Sequence, residues 1–370
     1  MISVSAFLVG VGVATAIAAV FALITVIADA TIANYGDVKV TANGGTKEFT
    51  VKGGQSLLST LMGQGIFIPS ACGGRGSCGL CRLTVDSGAG ELAPTEIPWI
   101  NEEDRKKSIR LSCQVKVKRD MAIRIPEELF TIREYRTEVL SIRELTYDIK
   151  EVTLKLKEPA EISMSAGKYV QFVVPAYELT AEPVYRAYSV SSSPSEKNTV
   201  EMEIRLVPNG ICTTYVFNHL KVGDPVTING PYGDFFLRES GRDIIFIAGG
   251  SGMAPIKSML LDMAEKANPR TATYFFGART TRDLFLVEEM RAFEKKLPRF
   301  SFVPALSNPQ PEDAWTGETG LITEVLGRHF QSLDHHEAYL CGSPGMIDAS
   351  IKVLKAKGMP EELIFFDKFA

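Results

Sequence analysis

Three cysteines lie close together in the segment SACGGRGSCGLCRLTV, residues 70–85. Cys72, Cys78 and Cys81 follow the spacing C-x5-C-x2-C, and Cys113 follows in RLSCQV after 31 intervening residues. Thiolates bind metals, and the surrounding glycines let a loop wrap closely around an inorganic core with its N–H groups turned toward sulfur. A structural zinc site would favour two paired CxxC or CxxH ligands, which this spacing lacks. The pattern therefore favours a [2Fe-2S] cluster on these four cysteines, with zinc as the alternative.

A second candidate site is RAYSVSS, residues 186–192. At strand spacing, its arginine, tyrosine and serine would bring a cation for a pyrophosphate, an aromatic face and a hydroxyl near one another. NGICTTYVF, residues 209–217, follows it, and Gly210 there precedes a helix start that would present N–H and hydroxyl donors to an anion. A solvated edge strand is the alternative for the first segment, and a buried structural thiol is the alternative for Cys212.

The segment DIIFIAGGSGMAPIKSMLLDMA predicts a buried strand, a glycine turn and an amphipathic helix with Pro255 in its first turn. Gly249, Gly250 and Gly252 depart from the G-x-G-x-x-G dinucleotide fingerprint. The strand candidates TATYFFG, FSFVPALS and EAYLCG follow, each before a helical pattern. This alternation predicts a doubly wound parallel α/β sheet with its ligand at the carboxyl ends of the strands.

The elements before this sheet are mostly short strands. VKVTANGGTKEFTV alternates around Asn43-Gly44-Gly45 and predicts a β-hairpin, and SLLSTLMGQG predicts a short helix that leads into the cysteine loop. From Arg133 the runs EVTLKLKEP, KYVQFVVP, TVEMEIRLV and DPVTINGPYGDFF predict a small antiparallel β-barrel. The chain is therefore expected to be a multidomain protein of α/β and β parts.

The N-terminus carries no charged side chain from Met1 to Ala28, and about 20 apolar residues suffice to cross a bilayer as a helix. We expect a single transmembrane anchor with residues 2–28 in lipid. A cleaved signal peptide is the alternative, but a cationic region before the apolar stretch is missing. The lysines that follow the stretch favour a cytoplasmic body on an inner (plasma) membrane.

The overall composition limits the function classes. The chain has 370 residues, 45% of them hydrophobic, and a formal net charge of −4. Such a length allows two or three domains with their own cores, so six cysteines are not needed as disulfide staples. The net negative charge argues against a nucleic acid partner.

The segment SACGGRGSCGLCRLTV is similar to the iron-sulfur segment of the F subunits of sodium-translocating NADH:quinone reductases, whose ferredoxin-like domain has a β-grasp fold. The resemblance extends to the order of anchor, ferredoxin, flavin barrel and nucleotide half. Only ten residues separate Pro175 from Arg186, where we expect those subunits to carry a longer insertion.

The two segments of the barrel resemble the RxYS and GxxS/T motifs that hold FAD in the ferredoxin reductase family. The resemblance implies that Arg186 and Thr213 contact the pyrophosphate. It also implies that Tyr188 packs on the isoalloxazine and that Ser189 forms a hydrogen bond near the flavin N5. The residues so assigned to FAD binding are Arg186, Ala187, Tyr188, Ser189, Gly210, Cys212, Thr213 and Thr214.

Two C-terminal segments also resemble that family. CGSPGM, residues 341–346, is similar to its CGxP motif, whose thiol lies beside the nicotinamide, and FFDKFA places Phe369 where members carry an aromatic that shields the flavin. A core role is the alternative for Phe369. The residues so assigned to the nucleotide site are Gly249, Gly250, Gly252, Pro255, Cys341, Gly342 and Phe369, and the catalytic ones are Ser189, Cys341 and Phe369.

These resemblances imply a membrane-anchored NADH dehydrogenase subunit that passes electrons from NADH to FAD, then to the cluster, then to membrane-embedded partner subunits and indirectly to quinone. NADH is expected over NADPH, although Arg279 and Arg282 could hold a 2′-phosphate. The expected domains are residues 1–30 (anchor), 31–130 (ferredoxin-like), 131–238 (FAD barrel) and 239–370 (NAD(P)-binding).

Two alternatives remain, of which the first shares all three cofactor motifs. One is the reductase component of a multicomponent oxygenase, a class usually without an anchor. The other is a membrane-tethered redox module that feeds another respiratory complex without turning over NADH itself.

Overall fold

The computed structural model describes the backbone of residues 4–31 and 35–369, and the side chains of residues 10–25 and 35–369. The chain divides into two compact units, one of Met1–Ile68 with Gly74–Phe130 and the other of Pro69–Gly73 with Thr131–Ala370. The N-terminal stretch forms the helix α1 (Val4–Thr31). Within the described part of the chain, no helix meets the length and hydropathy required of a membrane span.

The first unit contains a mixed sheet. Its strands are β1 (Asp37–Ala42), β2 (Lys47–Lys52), β3 (Arg82–Ser87), β4 (Ile109–Leu111) and β5 (Met121–Arg124), in the order β2-β1-β5-β3-β4. The pair β1 and β2 is the predicted hairpin, and β1 also pairs in parallel with β5. The helices are α2 (Leu57–Gly63), where a short helix was expected, and α3 (Glu102–Lys106). This arrangement of a hairpin and a helix against a mixed sheet agrees with the expected ferredoxin-like fold.

A buried ion pair fixes the segment that leads to the fourth cysteine. Glu96 is fully buried, and its carboxylate accepts hydrogen bonds from Arg110 at 2.6 and 3.0 Å and from the backbone N–H of Leu111 at 3.0 Å. Burial opposes the charge of Glu96, but these donors hold its pKa below the usual value. The pair therefore stabilises the end of β4, two residues before Cys113.

The second unit begins with an antiparallel barrel. Its strands are β6 (Arg133–Glu144), β7 (Ile149–Glu158), β8 (Tyr169–Val174), β9 (Val184–Ser189), β10 (Thr199–Arg205) and β11 (Pro225–Tyr232), and its helix is α4 (Ile211–Asn218). The strand order is β10-β7-β6-β11-β8-β9, and a bridge between Val190 and Met202 connects its two ends. Inward-facing aliphatic side chains fill the interior, as the period-2 pattern predicts.

The rest of the second unit is a parallel α/β sheet. Its strands are β12 (Asp243–Gly249), β13 (Ala272–Ala278), β14 (Phe300–Leu306), β15 (Glu318–Thr319), β16 (His336–Gly342) and β17 (Ile364–Lys368), and its helices are α5 (Met253–Glu265), α6 (Val287–Lys296), α7 (Ile322–His329) and α8 (Pro344–Ala356). The order β15-β14-β13-β12-β16-β17 reverses direction between β12 and β16. A ligand is expected at the carboxyl ends of those two strands.

Two helices differ in detail from the sequence pattern. The pattern TRDLFLVEEMRAFEKKL reads as one helix, but α6 begins only at Val287 because Leu286 adopts the left-handed conformation (φ +50°). The helix α5 looks amphipathic in sequence, yet every residue from Met253 to Leu260 is buried. Lys257 is among them, although an amphipathic pattern would place a lysine on the exposed face.

Candidate functional site

The four candidate ligand cysteines lie in two segments. Cys78, Cys81 and Cys113 belong to the first unit, whereas Cys72 lies in Pro69–Gly73, which groups with the second. Among the described residues, none of the four forms a disulfide. Gly74 and Gly76 have φ of +86° and +76°, and a Cβ on Gly74 would lie 3.9 Å from that of Cys113. Over the described residues, no three cysteine, histidine or acidic side chains converge on a single metal position.

The structure brings Cys81 and Cys113 together. Both are buried, and the Cys81 thiol donates a hydrogen bond to the Cys113 sulfur, which together with burial raises the pKa of Cys81. The backbone N–H of Cys113 in turn faces the Cys81 sulfur. Two neighbouring buried cysteines, one of whose sulfurs faces an N–H donor, suit a pair of ligands of a [2Fe-2S] cluster, because such a donor stabilises a thiolate. Cys81 and Cys113 therefore fit two of the four ligand positions of such a cluster.

The FAD candidates from the strand β9 and the helix α4 also meet. The Tyr188 hydroxyl donates a hydrogen bond to the Cys212 sulfur. Burial raises the pKa of Cys212 to about 11 despite this bond and the charge of Arg186, so the thiol stays neutral. The Tyr188 ring packs edge-on against Phe172 of β8, with ring centroids 6.3 Å apart. Arg186 donates to the carbonyl of Tyr185 at 2.7 Å, and Ser189 is buried at the end of β9.

The helix α4 begins as predicted. Gly210 is its N-cap in an extended conformation, and Thr213 in the first turn accepts a hydrogen bond from the Val207 N–H at 3.1 Å. A Cβ on Gly210 would lie 2.7 Å from the Thr213 hydroxyl, so only glycine permits this close turn. The N–H groups at such a helix start suit a phosphate.

The glycine turn after β12 lies directly on the end of β16. A Cβ on Gly252 would lie 2.3 Å from the carbonyl oxygen of Cys341 and 3.0 Å from the nitrogen of Gly342. A Cβ on Gly342 (φ +138°) would in turn lie 3.2 Å from the carbonyl oxygen of Gly249. Pro255 lies in the first turn of α5, where its missing N–H costs little. The structure therefore joins two motifs that are about 90 residues apart in sequence, at the point where the strand order reverses.

The C-terminal aromatic residue belongs to the same cluster. The backbone N–H of Phe369 donates to the Gly342 carbonyl at 2.9 Å, and its half-buried ring packs on the core around Cys341. Cys341 is fully buried, so burial, with Asp367 next to it on β17, raises the pKa of its thiol. Burial also raises the pKa of Asp367 to about 6. Cys341 therefore presents a neutral thiol rather than a nucleophilic thiolate.

A buried charge network joins the barrel to the nucleotide half, and sequence reasoning missed it. The ammonium of Lys257 lies 2.9 Å from Glu201, 3.2 Å from Glu289 and 3.4 Å from Glu151. Burial alone would lower the pKa of Lys257, but the carboxylates, above all Glu201 and Glu289, raise it. These acids come from β10, α6 and β7, so no local pattern could have indicated the network.

Glu203 is buried beside this network. It faces the same side of β10 as Glu201 and lies opposite Glu151 in the strand register. Both of its carboxyl oxygens are buried without a hydrogen-bond partner, and burial raises its pKa well above the usual value. A neutral carboxyl avoids the repulsion that two facing carboxylates would create.

The arginines considered for a 2′-phosphate lie on an exposed turn. The Arg282 guanidinium stacks 4.0 Å from the centre of the Tyr147 ring, and the Tyr147 hydroxyl donates to Asp283 at 3.0 Å. Arg279 is exposed. Arg282 is thus engaged in contacts with the turn between β6 and β7.

Three family models match the chain in succession. They are a 2Fe-2S iron-sulfur cluster binding domain over residues 40–118, an oxidoreductase FAD-binding domain over 136–237 and an oxidoreductase NAD-binding domain over 246–352. The three matches confirm the cofactor set expected from the cysteine loop, the barrel and the parallel sheet.

Curated relatives match over almost the whole length. The F subunit of the Na(+)-translocating NADH-quinone reductase of Serratia proteamaculans is 36% identical, with 98% of this chain and 99% of that protein covered. The protein of the same name from Neisseria meningitidis serogroup B is 37% identical, with the same coverage. The Serratia alignment spans 405 positions, more than the 370 residues of this chain, so the relative carries insertions that this chain lacks.

Solved structures of similar fold include a cytochrome P450 reductase from Amycolatopsis, with a TM-score of 0.73 and 28% identity over 90% of this chain and 98% of that one. A ferredoxin reductase in carbazole 1,9a-dioxygenase matches with a TM-score of 0.69 and 26% identity over 90% of this chain and 99% of that one. Both alignments extend beyond the FAD-binding and NAD-binding regions.

Proposed function

Because the chain belongs to the family of Na(+)-translocating NADH-quinone reductase F subunits, we propose that it is the electron-input subunit of such a membrane complex. It is an NADH-dependent oxidoreductase that uses FAD and a [2Fe-2S] cluster. The structural observation that carries the proposal is the contact of the Gly252 turn with the Cys341–Gly342 peptide. The backbone N–H of Phe369 donates a hydrogen bond to the Gly342 carbonyl at the same place.

The chain's own residues have distinct roles in this proposal. The first turn of α4 and the side chain of Arg186 bind the FAD pyrophosphate, while Tyr188 and Ser189 contact its ring. The glycine turn binds the dinucleotide, and Cys341 and Phe369 orient the nicotinamide and exclude water. Bound FAD supplies the conversion between hydride transfer from NADH and single-electron transfer to iron. Cys72, Cys78, Cys81 and Cys113 hold the cluster.

The proposed domains keep the boundaries 1–30, 31–130, 131–238 and 239–370. Residues 1–30 are proposed as a single-pass anchor with the body on the cytoplasmic side, because residues 1–28 carry no charge and lysines follow. The proposed partners are membrane-embedded subunits, which would carry the electrons on to quinone. The complex named for the relatives supports this assignment.

A second candidate is the reductase component of an oxygenase, because two such reductases share most of the fold. Purification from membranes with the N-terminal segment intact separates the two. Recovery with membrane-embedded subunits and NADH:quinone activity is expected for the quinone reductase. Recovery with an oxygenase, or of a soluble chain alone, would contradict the proposal.

A further inference from the structure

We propose that the side-chain amide of Gln114 is a hydrogen-bond donor that raises the reduction potential of the cluster held through Cys113. Gln114 would be a positioning residue that acts through the ligand sulfur. The inference rests on the proposed ligation by Cys113. It adds a residue that neither the cysteine spacing nor the family models identify.

The amide lies against the sulfur. Gln114 Nε2 is 3.2 Å from Cys113 Sγ and 3.4 Å from the carbonyl oxygen of Gly74. The other end of the amide is occupied, because the Thr95 hydroxyl donates to Gln114 Oε1 at 2.7 Å. The reverse orientation would place the amide oxygen against a carbonyl oxygen, which cannot donate, and against a sulfur that carries no proton when it binds iron. The contacts therefore fix the NH2 group toward Cys113.

The cysteine loop is shaped to accept this amide. A Cβ on Gly76 would lie 2.8 Å from Gln114 Nε2 and 2.9 Å from its Cδ. Gly76 also adopts a φ of +76°, which favours glycine. Thr95 on one side and the bare face of Gly76 on the other hold the amide in place, so it is ordered before any electron arrives.

The direction of the effect follows from charge. Reduction of a [2Fe-2S] cluster adds one electron, and part of the added negative charge lies on the ligand sulfurs. An N–H donor stabilises the more negative state more strongly, so hydrogen bonds to the sulfurs raise the potential. Removal of the Gln114 donor should therefore lower the reduction potential of the cluster.

The test is Gln114→Met in the full chain, a substitution that keeps the length of the side chain and removes the N–H groups. Iron and sulfide content are measured first, and the midpoint potential of the cluster is then measured by EPR-monitored titration. We expect full cluster content and about tenfold less favourable electron uptake, which for one electron is about 59 mV. Thr95→Val is the matched control, with a smaller decrease expected because it removes only the anchor of the amide.

Gln114→Glu is the second variant, since it keeps the size of the side chain and the bond from Thr95 but carries no N–H. At least the same decrease in potential is expected from it. An unchanged potential in fully loaded Gln114→Met or Gln114→Glu would overturn the inference. Loss of iron from both variants would also overturn it, because Gln114 would then be required for assembly. Absence of iron and sulfide from the wild-type chain would instead contradict the proposed function.

Discussion

At the scale of single residues, the proposed nucleotide site is built from a neutral buried thiol and from a small residue. Cys341 is buried deeply enough that its thiol stays protonated, so in the proposed site it would act through contact and shape rather than by nucleophilic attack. Gly252 is small because the neighbouring strand end leaves no space for a side chain. The contact of Gly252 can be tested by a single substitution.

Gly252→Ala should disable the nucleotide site while leaving the other cofactors bound. The new Cβ would overlap the Cys341 carbonyl oxygen at 2.3 Å, and backbone on both sides must shift. A displacement of about 1 Å can cost about 100-fold in rate, so flavin reduction by NADH in stopped-flow should slow by at least about tenfold. Gly327→Ala is the control, because its Cβ would make only an ordinary contact with Val353 at 4.0 Å. Equal rates in the two variants would contradict the site.

Asp367→Asn should stabilise the chain in a pH-dependent way. Burial raises the pKa of Asp367 from 3.8 to about 6 in the folded state, so its ionised form disfavours folding. That cost develops as pH rises from about 4 to about 6 and is fully present above about 6. The variant should gain on the order of 1–3 kcal/mol at about pH 7.5 and much less at about pH 4.5, as measured by denaturant unfolding. A gain that is equal at both pH values would refute this assignment.

At the scale of elements, the helix α5 connects the nucleotide turn to the barrel. Its Lys257 is paired with acids on β7, β10 and α6, so the helix that begins at the glycine turn is tied to two barrel strands. A buried ion pair adds little net stability but defines one arrangement, because each partner is costly to bury alone. The network therefore fixes how the nucleotide turn lies against the barrel.

Lys257→Met should destabilise the second unit by at most about 3–5 kcal/mol, because it leaves the carboxylate of Glu201 without a cation. Glu151 keeps its ion pair with Arg143 at 2.8 Å. Lys266→Met at the end of the same helix is the control. Lys266 also pairs with an acid, Asp262, at 2.8 Å, but its side chain is 70% exposed, so a change below about 0.5 kcal/mol is expected. Denaturant unfolding of both variants measures the difference. Similar losses for the two lysines would show that the Lys257 network is not a buried constraint.

The sequence predicts those elements that carry a strong local pattern. The hairpin at Asn43–Gly45, the barrel strands and the parallel strands follow from period-2 alternation, turn residues and apolar runs, and the structure confirms them. The Lys257 network and the Gln114 amide could not be predicted, since their partners come from separate segments. The late start of α6 depends on the left-handed Leu286, which an apolar residue does not indicate.

At the scale of the whole molecule, the chain combines an iron-sulfur domain, a flavin barrel and a nucleotide sheet in one polypeptide. This order suits a relay in which NADH is oxidised at one end of the sequence and iron is reduced at the other. The relatives that share this order over almost the whole chain are subunits of a quinone reductase. The central claim is therefore electron transfer within the chain, from NADH to the cluster.

The most direct test is anaerobic mixing of the purified full chain with NADH, followed by flavin absorbance and by EPR of rapidly frozen samples. Flavin bleaching should come first, and the signal of a reduced [2Fe-2S] cluster should then appear. In Cys78→Ser, the bleaching should persist without that signal. Bleached flavin in a fully iron-loaded wild-type chain whose cluster stays oxidised would contradict the relay.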